Sequence, residues 1–439
     1  MCVLQAFQQH IEQKKLCKAT DKILVAVSGG LDSMVLMHLF QEAGYQICVA
    51  HANFQLRGIE SDGDEEFVRH WCSRLGLYFY SQRFETNNYA TRKGISTQMA
   101  ARELRYHWFE QVLNQEKFDW IATAHHVDDS VETVLLNLTK GVGIEGLTGI
   151  EARNQNIIRP LVFSSRESIE EFAAAHGIAW REDQSNASDD YQRNFIRHQV
   201  VPRLKQLNPS FAEAIVRSIT KLQGTEALSQ IGLRQWKQQY EVVKGDKIHL
   251  SKSGLKTLAH PESVLYTLIK EFGFNLAQCE DIVKSLDGQS GKKFSAEKYD
   301  LVIDRTEIIL YKFFNAEEVF ITNEANHYQL GSLNLSVWSE SPPNISRAKN
   351  AATLDVSKLT FPLKWRKWKP GDSFQPLGMK QKKKLSDYFI DEKLTLADKE
   401  QATVIESRGE IVWVVGQRID DRYKITDETT SSFILDCGF

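Results

Sequence analysis

The sequence predicts an α/β protein with an N-terminal doubly wound parallel sheet, a mainly helical middle domain and a small α+β C-terminal domain. Three observations predict it. Short apolar, β-branched runs alternate with breaker-free helical runs over roughly the first 200 residues, the pattern of a parallel sheet covered on both faces. Polar clusters stand directly after those apolar runs, where such sheets bind ligands. Beyond about Phe211 the alternation stops. At 439 residues the chain is also too long for one ordinary core. The expected divisions are 1–212, 213–335 and 353–439, with a linker over 336–352 centred on Glu340-Ser341-Pro342-Pro343-Asn344.

Taken in order, Val3, Leu4, Phe7 and Ile11 have the spacing of a short amphipathic helix. Lys22 to Val27 is the first strand, and Met34 to Phe40 the apolar part of the helix after it. Ile47 to Ala50 is a second strand, ending in His51 to Gly58. A helix follows over Ser61 to Leu75, with Ser61 as its cap and acidic residues in its first turns. Leu77 to Tyr80 is a weak strand, Ser96 to Val112 a helix, and Trp120 to Ala124 a strand running into His125-His126. Further on, Leu222 to Tyr240 and Ser263 to Phe272 read as helices and Asp300 to Phe313 as strand. Ala402 to Glu406 and Ile411 to Val415 read as a hairpin through Ser407-Arg408-Gly409-Glu410.

Composition narrows the class. A hydrophobic fraction of 42% and a charged fraction of 25% suit a soluble globular chain, and no apolar run reaches transmembrane length. Six scattered cysteines, none in a C-x-x-C pair, argue against a disulfide framework and a clustered metal site, and a reducing cytoplasm is expected. The net charge of −3 means that any nucleic-acid binding must rest on a local basic patch.

Two stretches carry chemistry. In Ser28-Gly29-Gly30-Leu31-Asp32-Ser33 a strand turns through two glycines into a helix N-terminus, which gathers unpaired N–H donors and the positive end of the helix dipole around one point. An anion, most often phosphate, is favoured there, and the serines offer further donors. No Gly-Lys-Ser/Thr follows, so it is not the common mononucleotide loop. In His125-His126-Val127-Asp128-Asp129-Ser130-Val131-Glu132 a helix starting near Asp128 puts Asp129 and Glu132 on one face. Two such carboxylates beside a phosphate site can chelate Mg²⁺ or bind an ammonium group.

The hexapeptide resembles the SGGxDS signature of the PP-loop ATP pyrophosphatases. Within them the chain resembles the bacterial tRNA(Ile)-lysidine synthetases, through four further blocks in order. These are His51-x-Asn53-Phe54-x-Leu56-Arg57-Gly58; Gln98-x-x-Ala101-Arg102-x-x-Arg105-Tyr106; Thr123 to Asp129 running on to Gly141-x-Gly143-x-x-Gly146-Leu147; and Trp180-Arg181-Glu182-Asp183-x-Ser185-Asn186 with Arg193-Asn194-x-Ile196-Arg197. The likeness resumes at Pro370 to Met379 and at Gly416 to Asp420.

That resemblance implies ATP-dependent joining of L-lysine to C2 of the wobble cytidine in the CAU anticodon of tRNA(Ile), through an adenylated intermediate. Ser28, Gly29, Gly30, Leu31, Asp32 and Ser33 would hold ATP, with Asp32 near Mg²⁺. Asp32, Arg102, His126, Asp129 and Glu132 are the expected catalytic residues, and Asp129, Glu132 and Arg197 the expected lysine site. Arg57, Arg193, Arg366, Lys367, Lys382 and Lys383 are the expected tRNA contacts. The last four lie in Lys364 to Lys384, where Asp372 is the only acidic residue and two tryptophans interleave with cations, as suits phosphates and stacked bases. Trp368 stands where the family usually carries a second arginine. A PP-loop thiolase would need the paired cysteines this chain lacks, a small-molecule amidating ligase would leave the distal basic stretch unexplained, and a non-catalytic RNA-binding module would not need Asp32, Asp129 and Glu132.

Overall fold

The computed structural model describes residues 2–182, 192–313, 317–346, 348 and 350–438. They fall into two compact units, within 1–229 and 230–439.

The first unit is built on a six-stranded sheet. Its elements are α1 (Val3–Lys14), β1 (Lys22–Ala26), α2 (Leu31–Glu42), β2 (Gln46–Asn53), α3 (Ile59–Leu75), β3 (Tyr78–Arg83), α4 (Thr86–Lys93), α5 (Thr97–Glu116), β4 (Trp120–Ala122), α6 (Val127–Thr139), β5 (Arg153–Asn154), β6 (Ile157–Ile158) and α7 (Arg166–Ala175). The strand order is β3-β2-β1-β4-β6-β5, parallel except for the β5–β6 pair at the edge. Chain order reverses between β1 and β4, so the crevice at their carboxyl ends is the switch point. The glycine loop leaves β1 and His125-His126 leaves β4, so both open on that crevice.

One face of the sheet buries Ile23, Val25 and Val49 against α1, α2 and α7, and the other buries Leu24, Ala50 and Ile121 against α5. Strand β1 is apolar on both sides because helices cover both. Strand β2 runs three residues past Ala50, which places His51 and Asn53 inside it. Both turn inward and are held, His51 Nδ1 at 2.8 Å from the Val27 carbonyl and Asn53 by donating to Asp62 and Glu65. Ser61 is not a cap. Gly58 caps α3, and the Ser61 hydroxyl accepts the Arg57 N–H inside the first turn. Ser96 does cap α5, accepting from the Met99 N–H.

After α8 (Gln192–Phe195), a π-helical turn over Ile196–Val200 and α9 (Val201–Leu207), helix α10 runs from Phe211 to Tyr240. Helices α11 (Lys252–Lys256), α12 (Pro261–Ile269) and α13 (Leu276–Lys284) follow in the second unit. They accompany a five-stranded sheet of β7 (Glu241–Lys244), β8 (Lys247–Ser251), β9 (Lys293–Ser295), β10 (Tyr299–Ile303) and β11 (Glu307–Lys312), which the sequence announced only at Asp300 to Phe313. The expected linker over 336–352 overlaps strands at both ends, while Ser341 to Asn344 at its centre lie outside the strands. β12 (Val319–Ile321), β13 (Asn326–Leu330) and β14 (Leu333–Glu340) join β15 (Ala351–Asp355), β16 (Leu363–Lys367) and later strands in two four-stranded sheets. Strand β14 pairs with Ser432–Gly438 from Asn334 to Glu340 and stops there, where the Ser-Pro-Pro run begins. The hairpin forms with Ser407 opposite Glu410, turning through Arg408 and Gly409 at φ 49° and 81°, the left-handed pair such a turn requires.

Candidate active site

The glycine loop is closed by its own serines. Ser33 Oγ accepts the Ser28 N–H at 3.1 Å and donates to the Gly30 carbonyl at 2.9 Å, and Ser28 Oγ accepts the Gly30 N–H at 3.3 Å. Gly29 sits at φ 95°, with a Cβ position 3.4 Å from Val68, so this turn admits only glycine without strain. Gly30 has an ordinary φ of −78° and caps α2. From the far side, the Arg181 N–H donates to the Gly29 carbonyl at 3.0 Å. The loop is therefore preformed at a twelve-residue helix whose first N–H groups face a cleft of about 830 Å³.

Asp32 follows in the first turn of α2 and lines the cleft. Its Oδ1 is buried with no hydrogen-bond partner, and its Oδ2 lies 3.4 Å from Arg166 and 3.8 Å from His126. Burial pushes its pKa up, against the pull of His126 and Arg166. A buried carboxylate oxygen without a partner, beside a phosphate loop, fits a divalent cation. Among the described residues no cluster of three or more His, Cys, Asp or Glu could hold a metal alone, so Mg²⁺ here would complete its shell with phosphate and water.

Across the cleft, Asp129 Oδ2 accepts the His126 N–H at 2.9 Å, which fixes the start of α6. His126 is buried among Asp32, Asp128 and Asp129, all within 3.8 Å. Burial pulls its pKa down, but the bond with Asp128 and the surrounding carboxylates outweigh it and hold the imidazole above its ordinary value. Asp128 is held down to about 2, first by His126, and its Oδ2 accepts the Arg166 N–H. His125, by contrast, is pushed down to about 4 by burial and is neutral near pH 7.

Two arginines occupy the acidic pair. Arg193 reaches Asp129 Oδ1 at 2.8 Å and Glu132 Oε2 at 2.6 Å, while Arg197 donates to both Glu132 oxygens at 2.5 and 3.1 Å. Glu132 is 2% exposed, lies beneath both guanidiniums and is not among the residues that line the cleft. Asp129, Arg193 and Arg197 do line the cleft. Arg193, expected on tRNA, is thus drawn into the site by two carboxylates more than sixty residues upstream in sequence.

Other expected residues are redistributed. Arg57 lines the cleft, paired with Asp64 at 2.6 Å, and Asp64 also accepts from Arg181. Arg105 lines the cleft over the Phe54 ring, whereas Arg102, one helical turn earlier, belongs to a neighbouring cavity. Asp183, Ser185 and Asn186 lie outside the described residues. Arg159, Arg166 and Arg181 were not singled out. The available signal is position, since Arg159 directly follows β6 and Arg181 directly follows Trp180 in the Trp180 to Asn186 motif.

The distal basic stretch changes most. Arg366 is 8% exposed, with Asp372 gripping it through two oxygens and Glu406 at 2.6–2.8 Å, so the expected phosphate contact is a buried strut. Trp365 is fully buried and donates to Thr403, and Trp368 packs edge-on against Phe389 and donates to the Lys399 carbonyl. Neither tryptophan is a stacking platform, and Trp368 serves packing. Lys367 is half-buried with its amine 6.0 Å from the Phe313 ring centre. Lys382 is exposed and 3.1 Å from Glu410, and Lys383 pairs with Asp391.

A parallel sheet with a serine-closed glycine loop and an acidic second loop at its switch point defines a nucleotide-handling domain of the PP-loop class. The PP-loop domain family model matches residues 3–204, the TilS substrate binding domain matches 243–313 and the TilS substrate C-terminal domain matches 363–434. The chain is 40% identical over 439 residues to a tRNA(Ile)-lysidine synthase of Parabacteroides distasonis and 38% over 435 residues to one of Bacteroides thetaiotaomicron, with 99% of each chain covered in both cases. A Porphyromonas gingivalis protein of the same name is 33% identical over 445 residues, covering 97% of this chain and 96% of its own. The chain belongs to the tRNA(Ile)-lysidine synthase family. Among the described residues, no helix is long and apolar enough to cross a membrane.

Proposed function

We propose that the protein is an AMP-forming carbon–nitrogen ligase of the cytoplasm that joins L-lysine to C2 of the wobble cytidine in the CAU anticodon of tRNA(Ile). The observation that supports it most is the shared cleft, with helix N–H donors on one wall and the Asp129 carboxylate on the other. In the first step the cytidine O2 attacks the α-phosphorus of ATP; the new O–P bond forms as the bond to pyrophosphate breaks. In the second step the lysine side-chain amine, having shed a proton, attacks C2, and the C2–O bond breaks with loss of AMP.

The glycine loop would hold the phosphates in place and the charge on their oxygens would be met by Arg105 and Arg166. Mg²⁺ at Asp32 would neutralise phosphate charge. His126, whose pKa is raised by the carboxylates of Asp32, Asp128 and Asp129 around it, is suited to supply positive charge toward phosphate. Asp129 would receive the lysine ammonium once Arg193 yields, and Glu132 would act through Arg193 and Arg197 by positioning them. Exposed Lys382, with Lys383, would meet the tRNA backbone, a role now withdrawn from Arg366.

Incubating the protein with ATP, lysine and transcribed tRNA(Ile) tests this directly by mass analysis of the digested RNA. The expected result is one lysine-sized addition on the anticodon cytidine, with pyrophosphate and AMP released in step. A tRNA left unchanged in mass overturns it.

A further inference from the structure

The first turns of α3 and the segment after α7 meet at the glycine loop, and the proposed mechanism gives neither a task. The peptide joining Gly29 to Gly30 has glycine on both sides, so sterics do little to stop its plane turning over. Its N–H is held by Ser28 Oγ at 3.3 Å and its carbonyl by the Arg181 N–H at 3.0 Å. Turned over, it would lose both bonds and put a carbonyl oxygen where an N–H now stands. The Arg181 backbone is in turn anchored through its side chain. Nε donates to Asp64 Oδ1 at 2.6 Å and Nη2 to Glu60 Oε2 at 2.8 Å, a charged fork across the start of α3. Between those two carboxylates stands Gly63. A Cβ built on it would meet Arg181 Nη2, Nη1 and Cζ at 3.1, 3.3 and 3.4 Å, and these are its three nearest atoms. Gly63 lies inside α3, where its helical backbone does not require glycine and glycine is a poor helix former. The space it leaves is the space the guanidinium occupies. Asp64 also takes Arg57 on its other oxygen, at 2.6 Å, and both arginines line the main cleft.

We propose that Gly63, Asp64 and Arg181 are positioning residues, a clamp that locks the Gly29–Gly30 peptide in the orientation that receives ATP. The inference rests on the reading of the glycine loop as the ATP site. A loop that holds this orientation only part of the time binds ATP more weakly by that fraction, yet reacts as before once filled. The clamp therefore acts on ATP affinity and leaves turnover nearly alone.

Gly63→Ala tests this in the full chain, because alanine is the better helix former and its methyl group displaces the guanidinium. The equilibrium Kd for ATP and the KM for ATP in tRNA-dependent pyrophosphate release should both rise about 10-fold, with kcat changed less than about 2-fold. The KM for lysine should stay as it is, and the melting temperature should match or exceed that of the wild type. Arg181→Ala should weaken ATP at least as much. Arg181→Lys should fall between it and the wild type, since one ammonium does not span both carboxylates as the fork does. Glu66→Ala, an exposed change three residues along the same helix, should leave ATP affinity unchanged. Wild-type ATP affinity in Gly63→Ala overturns the inference. So does a rise in the ATP and lysine requirements alike with a lower melting temperature, which marks general damage to the fold. Wild-type ATP affinity in Arg181→Lys also overturns it, because charge alone would then suffice. If the wild type binds no ATP, the underlying reading has failed, and that is seen before any variant is compared.

Discussion

Two arginine–carboxylate clusters, one in each compact unit, use the same groups to different ends. In the first, Arg193 and Arg197 remain 40% and 28% exposed at the rim of a cleft while the Glu132 beneath them is 2% exposed. In the second, Arg366, Asp372 and Glu406 are 9%, 14% and 12% exposed and close on one another. A guanidinium with a solvent side can exchange its carboxylate for an incoming charge. One enclosed by its own partners holds strands together and offers nothing to a ligand. Accessibility of the cation, not its presence in a basic stretch, separates a site from a strut.

The largest effect that distinguishes them is on stability. Arg366→Ala strips two half-buried carboxylates, Asp372 and Glu406, of the guanidinium they share and should cost about 3 kcal/mol, read as a large fall in melting temperature. Unchanged stability with weakened tRNA binding would break the contrast and return Arg366 to the RNA surface. Next is Asp32→Asn, which should slow tRNA-dependent pyrophosphate release about 100-fold or more with little loss of melting temperature, since one of its carboxylate oxygens is buried without a hydrogen-bond partner. Full activity in that variant would remove Asp32 from the phosphate chemistry.

A smaller effect is expected at Glu132, which reaches the cleft only through its arginines. Glu132→Gln should raise the lysine requirement about 10-fold while moving the ATP requirement much less; equal changes in both would take it out of the lysine site. Smaller still is the acid limb set by Asp128. Its folded pKa of about 2 lies below the ordinary 3.8, so the stability it contributes is complete above about pH 4 and lost as pH falls toward 2. Asp128→Asn should flatten the melting-temperature curve over that window. The least change is predicted for Lys382→Ala, which should reduce the slope of log affinity for tRNA against log salt by about one.

The sheet, the glycine loop and the start of α6 were legible because each is specified by neighbours within a few residues. Apolar runs set the strands, two glycines set the turn, and Asp129 caps the helix that carries it. The end of β2 was not legible. His51 and Asn53 are polar, and only their partners on Val27, Asp62 and Glu65 reveal them as interior.

By itself the sequence determined where the chain builds a loop fit for an anion, because the loop's φ angles and helix N-terminus are local properties of Ser28 to Ser33. Only the tertiary structure decided which charges are available there. Glu132 and Arg193 are sixty-one residues apart, and Arg366 and Glu406 forty apart, yet each pair meets within 2.8 Å. Strand register and helix packing set those meetings. A side chain's charge is written in the sequence, but whether it faces water, a ligand or its own counter-ion depends on what the fold brings against it.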